Sequence, residues 1–227
     1  VTIEGDTAQF TTNTNVVGNL TVQVDDGQNI TAVTDAKIQN NPIGGNLVIK
    51  NTNTSNIVNN ISGNTITGIL TESGSGNNVN NNTSGTTELS GTNVETSGNT
   101  FNENATYAGA NSIDNNIQNN DYLGNVIVSG TGHDFEGTEN VVTGNVTIQA
   151  GGLNTTINQA ELNGELSVAA GATGVNITSA TIAGDATFSG DNLVATGSTY
   201  AANVTIEGDT AQFTTNTNVV GNLTVQV

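Results

Sequence analysis

The chain has no cysteine, which excludes disulfide frameworks, thiol catalysis and Cys-ligated metals. Methionine and tryptophan are also absent, proline and histidine occur once each, and aromatic residues make up 4%. So few large side chains argue against a thick globular core. Charged residues make up 10% of the chain, against about 25% in an average domain. Basic residues are the scarcest of these: Lys+Arg 2 against Asp+Glu 20, a net charge of −18. A chain so poor in cations has little with which to hold phosphates, so nucleic acid and anionic membrane are excluded as partners. Long apolar runs are missing too, and with them any membrane-spanning helix. Neither a starting Met nor a signal peptide is present, so the segment reads as a window from a longer chain.

What remains is mostly Asn, Thr, Gly, Val and Ile, and it is periodic. The segment "VTIEGDTAQFTTNTNVVGNLTVQV" stands at 1–24 and again at 204–227, an offset of 204 − 1 = 203 residues. Residues 1–203 therefore read as one full tandem repeat, and 204–227 as the start of the next identical copy.

A shorter period runs inside the long one. "GNLTVQV" at 18 has relatives in "GNLVIK" at 45, "GILTES" at 68, "GNVIVSG" at 124, "GNVTIQAG" at 144, "GELSVAAG" at 164, "GDATFSG" at 184, "ANVTIEG" at 202 and "GNLTVQV" at 221. "GTTELSG" at 85 and "ENATYAG" at 103 fill the gap, giving ten steps of about 20 residues from Gly18 to Gly221. Within a unit, Val146 and Ile148 alternate with Asn145, Thr147 and Gln149, a period-two strand with one buried face. Ile157 marks a second strand, and Ala160 with Leu162 a third. Helix capping signals and 3.6-residue periodicity are missing.

A 20-residue unit cannot bury its own apolar face and must stack on its neighbours. The expected fold is all-β: a right-handed parallel β-helix (β-solenoid) with about 20 residues per coil and about ten coils per 203-residue repeat. One interior ladder would be Leu20, Leu47, Leu70, Ala105, Val126, Val146, Leu166, Ala186, Val204 and Leu223. A second would be Val22, Ile49, Tyr107, Val128, Ile148, Val168, Phe188, Ile206 and Val225. Glu72 interrupts the second, which predicts irregular coils or a shifted register near 68–102. The step from Gly18 to Gly45 is 45 − 18 = 27 residues, and its excess is expected to bulge near Asp25–Gly27 or Asn40–Ile43, with Pro42 at a turn.

Few residues offer chemistry. Acidic polysaccharide lyases of this shape need Arg or Lys, and only Lys37 and Lys50 exist. Paired carboxylates for glycoside hydrolysis would have to come from Asp25 and Asp26, or from His133, Asp134, Glu136 and Glu139. These read as solvated turn residues, with His133 in an exposed loop, and no catalytic residue or cofactor is expected. Asp25, Asp26, Asp134 and Glu136 remain weak calcium candidates, although the glycine-rich calcium repeat and the EF-hand loop are absent.

Polar residues at the outward strand positions form columns. Asn19, Asn145, Asn203 and Asn222 share one position, and Thr21, Thr147, Thr205 and Thr224 share another two residues on. They make a candidate interaction face for glycan, ice or a neighbouring rod. The plainer explanation is that exposed strands need polar β-formers whose Asn side chains bond coil to coil.

The coils "GNLTV", "GNVTIQAGG" and "GELSVAAGA" resemble the β-helix repeats of filamentous-haemagglutinin-type and other giant repetitive bacterial surface adhesins, over nearly the whole chain. That resemblance implies an extracellular rod on a bacterial cell surface whose partners are its own repeats, stacked end to end, with binding functions outside the repeats. The expected function is thus a structural stalk or filament segment. Lateral self-association or glycan binding is the alternative, and a β-helix carbohydrate-active enzyme the third.

Overall fold

The structure is a computed structural model, and it describes residues 1–4, 9–11, 15–23, 37–50, 59–111, 116–137 and 139–226. Strands of two to four residues assemble into three parallel sheets of twelve, eleven and ten strands, and every strand pair joins one coil to the next. The chain is a parallel β-solenoid: sheet 1, turn, sheet 2, corner, sheet 3, turn, and round again. The described residues contain no helix.

Sheet 1 holds the two ladders read from the sequence. Leu20 pairs with Leu47 and Val22 with Ile49, and the register continues unbroken to Val204–Leu223 and Ile206–Val225. The strand Thr87–Leu89 supplies the rungs missing from the pattern, pairing Leu70 with Thr87 and Thr87 with Ala105. In sheet 2 the three-residue strands turn their central residue inward (Ile38, Phe135, Ile157, Ile177), and in sheet 3 the second residue turns inward (Ile43, Phe101, Tyr122, Tyr200). The scarce aromatics concentrate inside, with Phe101, Tyr107, Tyr122 and Phe135 packed at centroid distances of 5.1–6.5 Å.

Three expectations need correction. The register does not slip at Glu72. That residue pairs with Ile49 below and Leu89 above, and it points into the bore at 0% exposure. The irregularity there is chemical, not geometric. Asn40–Ile43 is an ordinary corner: Pro42 opens the strand that ends sheet 3 and pairs with Thr65, an edge position where a proline is tolerated. Asp25–Gly27 lies outside the described residues. Ala160 belongs to the corner before the strand Glu161–Leu162 rather than to the strand itself.

The corner between sheets 2 and 3 takes a left-handed residue in coil after coil: Asn40, Gly63, Asn81, Gly98, Asn119, Gln159, Ser179, Gly197 and Asn216, with φ between 54° and 67° where Asn or Gly stands. Asn and Gly tolerate this region best. A Cβ at Gly197 would meet Ser179 Oγ at 3.6 Å and the Thr215 carbonyl oxygen at 4.0 Å, both ordinary contacts. Gly197→Asn is therefore expected to be tolerated, within about 0.5 kcal/mol of wild type, because Asn fills the same position in other coils. Gly197→Val should cost about 1–3 kcal/mol in backbone strain. Thermal melts of the two variants check this, and equal melting of both contradicts the assignment.

Candidate functional site

The best-ordered polar constellation lies inside the corner. Immediately after five of these left-handed residues stand Asn41, Asn64, Asn82, Asn99 and Asn120, and with Asn140 at the matching corner of the next coil they point inward, each at most 1% exposed. Each Oδ1 accepts the backbone N–H of the Asn one coil nearer the N-terminus: Asn41 to Asn64 (3.1 Å), Asn64 to Asn82 (3.0 Å), Asn82 to Asn99 (2.9 Å), Asn99 to Asn120 (3.0 Å) and Asn120 to Asn140 (3.1 Å). The Nδ2 groups of Asn64, Asn82 and Asn99 donate to the carbonyls of Ile38, Ile61 and Val79, each at 2.7 Å. This satisfies corner carbonyls and amides that burial would otherwise leave unpaired. Sequence reading missed it because single Asn residues are lost among so many. The signal was there as [Asn/Gly]-Asn-x-apolar, in "NNPI", "GNTI", "GNTF" and "NNDY", at the same steps as the sheet 1 ladder.

The inner ladder ends at Asn140, where the next rungs are Ala160, Ala180 and Ser198. A small apolar void of about 10 Å³ opens there, lined by Phe135, Asn140, Ala160 and Leu162 among others. Ala160→Asn should add a rung that accepts the Asn140 N–H, raising stability by about 1–2 kcal/mol. Chemical denaturation checks this, and a loss of stability would show that the void cannot take the amide.

A second ladder, of opposite sense, runs outside along sheet 1. Here the side chain reaches toward the C-terminus: Asn19 Oδ1 accepts the Asn46 N–H (2.9 Å), Asn125 that of Asn145 (2.8 Å), Asn145 that of Glu165 (2.9 Å) and Asn203 that of Asn222 (3.1 Å). Asn203 and Asn222 also donate through Nδ2, to Asp185 and Asn203. The recurrent "GN" dipeptide has a steric basis as well, since a Cβ at Gly144 would lie 2.4 Å from the Gly124 carbonyl. Of the candidate interaction face, Asn19, Asn145, Asn203 and Asn222 are engaged in coil-to-coil bonds. Thr21, Thr147 and Thr205 lie half-buried on the outer face of sheet 1, and Thr224 is exposed at its end.

The acidic candidates do not converge. Asp134 and Glu136 flank buried Phe135 on the outer face of sheet 2, and Glu136 Oε2 accepts the Asn158 side-chain amide at 2.8 Å. Asp25 and Asp26 lie outside the described residues. Among the described residues no three His, Asp or Glu side chains gather as a metal-binding group.

His133 is buried, at 2% exposure, and is not the expected loop residue. Its Nε2–H donates to the Gly109 carbonyl (3.0 Å), with Asn111 Nδ2 3.4 Å from Nδ1. Its ring lies edge-on to Tyr107. Burial pushes its pKa down to about 4, so the ring is neutral near pH 7. Beside it, the Tyr107 and Tyr122 hydroxyls are 2.6 Å apart. Tyr107 also meets Thr96 Oγ1 at 3.3 Å, which accepts from Asn120 Nδ2 at 3.2 Å. The aromatic interior is thereby tied to the inner ladder.

The chain matches no protein-family model, no curated protein and no solved structure. What the structure shares with β-helix repeat proteins is the parallel solenoid architecture.

Proposed function

We propose that the chain is a rod-forming stalk segment of a long extracellular surface protein of the repetitive bacterial adhesin type, lengthened by copies of the 203-residue unit. One observation carries this reading. In both copies of the 24-residue segment, 203 residues apart, the first strand pairs with the last in the same register, Thr2 with Thr21 and Thr205 with Thr224. A joint that repeats without redesign suits indefinite extension. The absence of cysteine and the net charge of −18 suit an exported chain kept apart from its neighbours. Chains carrying one, two and three copies of residues 1–203, measured by small-angle scattering, should lengthen by about 48 Å per copy, ten coils at the spacing of paired strands. Particles that grow in all dimensions would sink the proposal.

Glycan binding is supported by a different observation: a shallow groove of about 440 Å³ on sheet 2, edged by Asn78, Asn80, Glu95, Ser97 and Gln118. A glycan array on wild type and on Glu95→Gln distinguishes the readings. Binding that Glu95→Gln abolishes supports the groove, and no binding leaves the stalk alone.

A further inference from the structure

The apolar bore is not continuous. One buried cluster runs from Val16 to Val94 and another from Leu89 to Ile206. Where they meet, the inward positions are polar: Glu72, Asn77, Ser84, Thr87 and Thr96, none more than 1% exposed. Ser84 and Thr87 bond to each other at 2.7 Å. Glu72 is only partly accommodated. Its Oε1 accepts the Gly74 N–H (2.8 Å) and Asn77 Nδ2 (2.5 Å), whereas its Oε2 is buried with no hydrogen-bond partner. The Gly74, Asn77 and Gly91 donors only partly offset the desolvation of a carboxylate so placed, while the neutral acid is a polar rung among apolar ones.

We propose that Glu72 is an acid-keyed joint in the rod: neutral, it closes the ladder between Ile49 and Leu89; ionised, it favours local opening of the coils around residues 70–97.

The surroundings offer no cation to offset the charge. The strands Leu47–Ile49 and Thr87–Leu89 present Ile49 and Leu89 to Glu72, and Asn77–Asn80 presents Asn77. Glu88 and Glu95 face outward and Lys50 is exposed. The nearest titratable groups further along the bore are Tyr107, in register above Leu89, and His133 against it.

Burial is the main reason that the Glu72 pKa rises from 4.5 to about 7. The native state then holds this proton more tightly than the unfolded chain. The resulting stabilisation is complete below pH 4.5 and lost as pH rises through about 7. His133 acts in the opposite direction, losing stability as pH falls from 6.5 toward 4. The effect of Glu72 must therefore be read as the difference between wild type and Glu72→Gln.

Hydrogen exchange of the intact chain between pH 4.5 and 8.5, corrected for intrinsic rates, provides that difference. The Ser73 and Ser90 amides, bonded to Ile49 and Glu72 carbonyls, report on the joint, and the Ala169 amide, bonded to Ile148, reports on the apolar half. Local opening at Ser73 and Ser90, relative to Glu72→Gln, should increase by roughly two orders of magnitude toward high pH, tenfold per unit of pKa shift, with no change at Ala169. Equal pH dependence in both proteins, or the same change at Ala169, would overturn the joint. If Glu72→Gln does not fold, side-chain carbon NMR of Glu72 in wild type decides. A titration midpoint near 7 supports the proposal and one near 4.5 refutes it.

Discussion

Replacing Asn99 by Ala is expected to lower stability by about 3–5 kcal/mol, in the range that only buried hydrogen-bond networks and large cavities reach. Asn99 makes four ladder contacts. Its Oδ1 accepts the Asn82 backbone N–H at 2.9 Å and the Asn82 side-chain amide at 3.1 Å, and its Nδ2 donates to the Val79 carbonyl at 2.7 Å and to Asn120 Oδ1 at 2.9 Å. Alanine removes all four and leaves the Val79 carbonyl and the Asn82 N–H buried without partners, each costing about 1–3 kcal/mol. Asn99→Asp should be no better, since it cannot donate to Val79 and buries a charge. The control is Asn145→Ala on the exposed outer ladder, where water replaces the lost acceptor and the cost should stay below about 1 kcal/mol. Urea denaturation followed by hydrogen exchange measures both, because a stacked array can open coil by coil. Equal costs for the two variants would mean that burial is not what makes the inner ladder matter.

Gly130→Ala is expected to be comparably severe, at about 3–5 kcal/mol. A Cβ there would lie 1.7 Å from the Gly109 carbonyl oxygen, and one at Gly109 would lie 1.7 Å from that of Gly91. These are backbone-to-backbone approaches, so no side-chain rotation relieves them, and the coils must part. Parting them breaks the Gly130 N–H bond to the Tyr107 carbonyl and disturbs the His133 bond to Gly109. The loss should appear as faster exchange confined to residues around 105–135. A variant within 1 kcal/mol of wild type, with unchanged exchange, would show that the glycine column is not in tight contact.

The strands of sheet 1 were legible because most place two apolar residues around a polar one after a recurrent glycine, as in Gly144–Ile148, and the repeat fixes their register. The corner was not legible, since an inward Asn has the same letter as an outward one. Asn140 and Asn145 differ only in position around the coil, and burial decides their roles. His133 misled for a similar reason: a histidine between Gly132 and Asp134 looks like a loop residue, yet the stacking of Gly109 and Tyr107 beneath it makes a buried niche. Glu72 was visible as an exception to the ladder, but not as an in-register one, because sequence pattern alone assigns a carboxylate to the outside.

The two halves of the rod are held by different forces, and temperature should separate them. The inner amides run from Asn41 to Asn140 and span the polar break in the bore, while beyond Asn140 the corner turns to Ala160 and Ala180 and the interior is one apolar cluster. Apolar burial loses strength on cooling and carries most of the heat-capacity change of unfolding. The coils beyond Asn140 should therefore have the more sharply curved stability profile and soften first in the cold. The amide-laddered coils should hold nearly constant, giving one rod two thermal characters along its length.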